Sequence, residues 1–116
     1  MRVLVVEDEP LLAMLLEESL VELGHEIAAS AATVEQALSA LEAGPVEFGI
    51  LDYSLGQDMT ALPVARRLRE RGIPFMYLSG HASLDEGGAV PPAPLLTKPF
   101  TLDQLDATIR GMALAA

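Results

Sequence analysis

Short apolar runs alternate with stretches of helical periodicity along the whole 116-residue chain. Strand–helix alternation of this kind folds as a parallel sheet covered by helices on both faces. The first strand is expected over residues 2–6. Pro10 then suits the first turn of a helix, where its missing N–H leaves no partner unsatisfied. Leu12, Leu16, Leu20 and Leu23 follow at helical spacing, and Gly24 closes the helix. A weaker second strand falls around residues 26–30. Thr33 and Gln36 form a capping-box pattern, and Val34, Leu38 and Leu41 give the buried stripe of a second helix that Gly44-Pro45 stops.

The third strand is the run Phe48-Gly49-Ile50-Leu51, ending at Leu51. A third helix is expected from near Thr60, with Pro63 in its first turn, through Ala65 and Leu68 to Gly72. The fourth strand covers residues 75–78. Residues 82–94 contain Gly87, Gly88, Pro91, Pro92 and Pro94, a composition that gives one short turn plus a loop rather than a full helix. Leu95-Leu96 is a short fifth strand. Thr101 and Gln104 are a second capping box, ahead of Leu102, Leu105, Ile109 and Met112 on a last helix. The expectation is one α/β domain over residues 1–116, doubly wound, with the helix between the fourth and fifth strands short or irregular. Since the chain ends directly after the last helix, no output domain is expected.

A chain this long buries an ordinary core without covalent staples. It has no cysteine, which excludes disulfides and thiolate metal sites and fits a reducing compartment. With the first strand expected from Arg2, no signal peptide is expected, and no apolar run approaches the ~18 residues of a membrane span. A cytoplasmic protein without membrane contact is expected. The formal charge of −10 argues against nucleic acid as a partner. Arg66, Arg67, Arg69 and Arg71, with Glu70 among them, read as a solvated helix face. Lys98 is the only lysine beside six arginines, which suggests a place where a compact ammonium is needed rather than a planar fork.

The strand ends carry the chemistry. Open α/β sheets put their sites at the C-terminal edge of the strands. There the first strand runs into Glu7-Asp8-Glu9, the third into Asp52, the fourth into Ser79 and the fifth into Thr97-Lys98-Pro99. Glu7, Asp8 and Asp52 are hard oxygen ligands suited to Mg²⁺, and converging carboxylates repel unless a cation neutralises them. The acids before Pro10 would also complement the dipole of the first helix, which describes Glu9 well but leaves Asp52 unexplained. A carboxylate held beside a metal and an ammonium can act as nucleophile towards a phosphoryl group. Lys98 supplies the ammonium, and Ser79 a hydroxyl able to donate to a phosphoryl oxygen.

With Glu7-Asp8, Asp52, Ser79 and Lys98-Pro99 in order at four strand ends, the chain resembles, from end to end, a receiver domain of two-component response regulators. That resemblance implies a flavodoxin-like sheet of five parallel strands in the order 2-1-3-4-5. It implies Mg²⁺ bound by Asp8, Asp52 and the backbone carbonyl of Ser54, with Glu7 assisting through water. It implies that Asp52 accepts a phosphoryl group from a histidine kinase or a histidine phosphotransfer protein and that the message passes to a downstream target protein. A monomer or weak homodimer is the expected state. Pro74-Phe75-Met76-Tyr77-Leu78-Ser79-Gly80-His81 is similar to the Pro-Phe-x-Phe-Ala-Thr-Gly-Tyr stretch of one receiver subgroup with many stand-alone members. Most receivers carry Tyr or Phe three residues before the lysine; Leu95 stands there, so the usual aromatic switch is absent or relocated. Ser54 and His81 occupy positions that tune phosphoryl lifetime in such domains.

Other functions are weaker. A receiver-like module working by surface contacts alone, without phosphorylation, would not need the intact quartet. An aspartyl phosphatase usually has a second acid two residues after the nucleophile, where Ser54 stands. A flavodoxin-like cofactor site would hold phosphate after the first strand, where Glu7-Asp8-Glu9 would repel it. The expectation is therefore a signalling phosphoacceptor rather than an enzyme. Leu11, Leu12, Met14, Leu15 and Leu16 cover more of the first helix than one buried stripe requires, either as a broad core face or as the docking surface for a histidine-bearing helix bundle.

Overall fold

The computed structural model describes residues 1–56, 59–80 and 91–115. The elements run β1 (Arg2–Val6), α1 (Pro10–Glu22), β2 (Glu26–Ala31), α2 (Val34–Ala43), β3 (Phe48–Asp52), α3 (Leu62–Glu70), β4 (Phe75–Ser79), β5 (Leu95–Thr97) and α4 (Leu102–Ala115). All strand pairings are parallel, in the order β2-β1-β3-β4-β5. The alternation predicts a doubly wound parallel sheet and the resemblance implies the flavodoxin-like strand order; the structure has both. The expectation for residues 82–90 lies outside the described residues; residues 91–94 have no regular secondary structure.

Period-two alternation divides the three central strands between two cores. Leu4, Val6, Leu51, Phe75 and Tyr77 face α2 and α3, packing on Val34, Ala37, Leu41, Val64 and Leu68. Val3, Val5, Phe48, Ile50, Met76 and Leu78 face α1 and α4, packing on Leu16, Leu20, Leu105, Ile109 and Met112. Burial on both faces explains why β1, β3 and β4 read as continuous apolar runs, and why the half-exposed edge strand β2 reads weakly.

Local signals fix the helix ends. Thr33 Oγ1 accepts from Gln36 N at 3.1 Å, while Gln36 Oε1 reaches back to Ala32 N at 2.8 Å. Thr101 and Gln104 satisfy each other reciprocally at 2.8 and 3.1 Å, a complete capping box for α4. Two expected core positions differ from the pattern. On α2 it is Ala37, with Leu38 at its side, that is fully buried. On α1 Leu12 is 40% exposed, because Ala13, Leu16 and Leu20 form the face turned to the sheet.

Gly49 allows β3 and α3 to approach. A Cβ there would stand 2.8 Å from Leu68 Cδ1, inside a fully buried cluster. Gly49→Ala is expected to lower stability by about 1–3 kcal/mol through overpacking. Urea unfolding checks this, and an unchanged midpoint would show that Leu68 repacks at no cost.

Candidate functional site at the C-terminal strand edge

Parallel strands bring all their C-terminal ends to one edge. There β1 delivers Glu7 and Asp8, β3 ends on Asp52, β4 on Ser79, and β5 leads into Lys98. Main-chain bonds carry the register past the strand ends. Glu7 N donates to Ala31 O at 2.9 Å, Tyr53 N to Leu78 O at 2.9 Å and Lys98 N to Ser79 O at 2.8 Å. Side chains far apart in sequence are thus set by the backbone of neighbouring strands.

Carboxylate oxygens of Glu7, Asp8 and Asp52 all lie within 4.8 Å of one another. Lys98 Nζ donates to Asp52 Oδ2 at 2.9 Å and reaches Glu7 Oε1 at 3.5 Å. Glu7, Asp52 and Ser79 are the buried polar side chains among the described residues, whereas Asp8 is exposed. One ammonium does not balance three carboxylates. Burial first, then the adjoining Asp52 carboxylate, push the Glu7 carboxyl up from 4.5 to about 8, against the pull of Lys98. Burial alone would lower Lys98, but its bond and charge pairing with Asp52, then with Glu7, raise it above the ordinary lysine value.

These residues fit a divalent cation. Among the described residues Glu7 Oε2 is buried without a hydrogen-bond partner, and hard oxygens from two strands converge on a site with surplus negative charge. The loop after β3 is folded back on itself, with Ser54 bridged to Thr60, Leu55 N bonded to Met59 O at 2.8 Å and Ala61 N to Tyr53 O at 2.9 Å. The expected site residues Glu7, Asp8, Asp52, Ser79 and Lys98 thus meet at one edge, with Ser54 in the adjoining pinned loop. His81 lies outside the described residues.

Two features go further than the sequence reading, which offered the α1 leucines as a broad core face or a docking surface. A groove of about 570 Å³ lies between α1 and the segment leading from β5 towards α4, walled by Leu12, Leu15, Leu16, Leu78, Pro99 and Phe100, and it opens on Glu7 and Lys98. The surplus of leucine on α1 was its only signal. The second is Tyr77, buried opposite Leu95 in the β4–β5 register. Its hydroxyl donates to Pro91 O at 2.9 Å, and its ring packs edge-on against Tyr53 and Phe75. Burial pushes the phenol up to about 12, so it stays a donor at any ordinary pH. Tyr77→Phe is expected to cost about 1 kcal/mol by leaving the Pro91 carbonyl unpaired. A urea midpoint equal to that of the wild type would remove any weight from this bond.

The sequence model of the response regulator receiver domain matches residues 3–110. The transcriptional regulatory protein TcrA of Mycobacterium tuberculosis is 33% identical over 120 residues, covering 97% of this chain and 46% of TcrA. The chain thus spans about half the length of the curated relatives it matches. The solution structure of SdrG from Sphingomonas melonis Fr1 is similar with a TM-score of 0.83 and 36% identity, over 97% of this chain and 96% of SdrG. The response regulator TrrA from Thermotoga maritima, crystallised with Mg²⁺ and BeF, is similar with a TM-score of 0.83 and 29% identity, over 96% and 97% of the two chains. Among the described residues no helix is long and apolar enough to cross a membrane.

Proposed function

The chain belongs to the response regulator receiver family, and on that premise we propose that it is a phosphoacceptor in which Asp52 takes a phosphoryl group from a partner's phosphohistidine. The observation that supports this most is the Asp52 carboxylate at the end of β3, 2.9 Å from the Lys98 ammonium and within 4.8 Å of the Glu7 and Asp8 oxygens. In the transfer an Asp52 oxygen bonds to phosphorus while the P–N bond to the partner's imidazole breaks, and the ring leaves with the electron pair. Little acid–base chemistry is required; the barrier is lowered by alignment and by neutralising charge on the phosphoryl oxygens.

Glu7, Asp8, Asp52 and the backbone carbonyl of Ser54 would hold Mg²⁺, which when bound neutralises the carboxylates and the incoming phosphoryl oxygens. Lys98 orients Asp52 in the resting protein and is close enough to turn to the phosphoryl group once Asp52 carries it as an acyl phosphate. Ser79, at the end of the neighbouring strand, donates its hydroxyl to a phosphoryl oxygen and so reports the modification to β4. Added charge and acceptor oxygens at this edge then shift the protein between surfaces that a downstream target protein distinguishes.

The partner's histidine must come within bonding distance of Asp52. The apolar groove beside α1 opens on Glu7 and Lys98, and Leu11, Met14 and Leu15 on the same helix are each about half exposed. We therefore assign this face to a histidine kinase or a histidine phosphotransfer protein. Intact mass after incubation with acetyl phosphate and Mg²⁺ tests the proposal. One added phosphoryl group that disappears when Mg²⁺ is chelated before incubation is expected. No addition from either acetyl phosphate or a panel of phosphorylated histidine phosphotransfer proteins, on material that melts cooperatively, would favour a module that works by contact alone.

A further inference from the structure

We infer that Gly56 sets the position of the Asp8 carboxylate and is thereby a positioning residue for the cation site; the inference rests on the Mg²⁺ reading above. Gly56 sits at φ 76° in the loop that follows Asp52. A Cβ at this position would stand 3.1 Å from Asp8 Oδ2, and among the described residues no other heavy atom beyond its chain neighbours comes within 4 Å. Among the described residues the absent methyl group therefore faces one atom, an Asp8 carboxylate oxygen.

Which side would yield to an added methyl decides the consequence. The described residues of the loop are fastened by main-chain bonds. Tyr53 N is bonded to Leu78 O, Ala61 N to Tyr53 O, Leu55 N to Met59 O and Met59 N to Gly56 O, at 2.8 to 2.9 Å. Leu55 beside Gly56 is buried in the core between the sheet and α2 and α3. Asp8 is exposed, and among the described residues no hydrogen bond or ion pair holds its carboxylate. A side chain at 56 would therefore displace Asp8 rather than the loop. Asp8 supplies one of the three oxygens that converge within 4.8 Å. Mg²⁺ accepts little departure from octahedral ligands at about 2.0–2.1 Å, so a shift of a few tenths of an ångström in one ligand weakens binding. The expected loss is in cation affinity, with the fold itself nearly unchanged.

Glycine at positive φ has a second, bland explanation, the strain that alanine would meet in that conformation. Two further variants separate the explanations. Asparagine tolerates the left-handed region but carries a Cβ. Gly72, at φ 69° with nothing among the described residues within 4 Å of its Cβ position, measures the cost of strain alone. Mg²⁺ dissociation constants from calorimetric titration, and melting temperatures without metal, would be measured on the full chain for wild type, Gly56→Ala, Gly56→Asn and Gly72→Ala.

Both substitutions at Gly56 are expected to weaken Mg²⁺ binding about tenfold, the low end for residues that position metal ligands. Gly56→Asn should melt close to wild type, and Gly72→Ala should melt lower yet bind Mg²⁺ normally. Wild-type affinity in both Gly56 variants would overturn the inference. So would recovery of affinity in Gly56→Asn alone, which would assign the effect to backbone conformation. A wild type that binds no Mg²⁺ would overturn the metal reading itself, and this inference with it.

Discussion

Asp52→Asn is expected to take up no phosphoryl group from acetyl phosphate while remaining folded. The amide that replaces the carboxylate lacks both the negative charge and the nucleophilic oxygen that attack on phosphorus requires. Phosphoryl uptake should fall below detection rather than by a modest factor. The fold has no reason to suffer. Asp52 is one of three carboxylates gathered within 4.8 Å around a single ammonium, so removing its charge relieves repulsion, and Lys98 keeps Glu7 as a partner. A melting temperature at or above that of the wild type is the built-in control. Lys98→Met should behave differently, still taking up the group but about 10²-fold more slowly, the usual cost of deleting one fixed donor to a charge that develops in the transition state. Labelling of the Asp52→Asn chain at wild-type rate would move the acceptor elsewhere and defeat the proposed role of the strand edge.

The ingredients of this experiment were legible in the sequence for a simple physical reason. Val3 to Val6, Phe48 to Leu51 and Phe75 to Leu78 are buried on both faces and so stand out as apolar runs. Whatever polar residue follows such a run lies on the edge where the strands end, and in a parallel sheet the edge is shared. Glu7, Asp8, Asp52, Ser79 and Lys98 could therefore be assigned to one crevice without knowing any distance. α1 was harder to read. Leucines at 11, 12, 15, 16 and 20 wrap most of the helix, so their spacing cannot say that Leu16 and Leu20 are buried while Leu11 and Leu12 are not. The contact between Gly56 and Asp8 joins two loops 48 positions apart, and the bond from Tyr77 to Pro91 closes a span of 14. Neither leaves a local pattern. The aromatic missing at Leu95 was visible as a departure, but that Tyr77 packs opposite it follows only from the β4–β5 register.

The charge surplus at the strand edge has a thermodynamic consequence that needs no phosphoryl donor. Without divalent cations the protein should lose stability as pH rises from about 4.5 to about 8, the interval between the ordinary Glu7 value and the value to which burial and Asp52 raise it. Throughout that interval the folded chain holds a proton on Glu7 that the unfolded chain has released. Stability therefore falls with pH, by at most about 1.4 kcal/mol per unit for one proton. It is fully present below the unfolded value and gone above the folded one. His25 works in the opposite direction, because burial and the nearby chain terminus lower its pKa below 6.5 and make its protonation unfavourable to the fold. The Glu7 effect is therefore cleanest between pH 6.5 and 8. Urea unfolding across that range in EDTA should show the decline, and Glu7→Gln, which cannot ionise, should flatten it. Added Mg²⁺ favours the ionised carboxylates, so its stabilisation should grow with pH and offset the decline, by about 2.7 kcal/mol at a hundred times its dissociation constant. A flat profile in EDTA would mean that Glu7 is already ionised at pH 6.5 and that Lys98 suffices to hold the charges. A decline that Mg²⁺ leaves untouched would place the repulsion beyond the reach of a bound cation, and with it the reason for three acids to meet there.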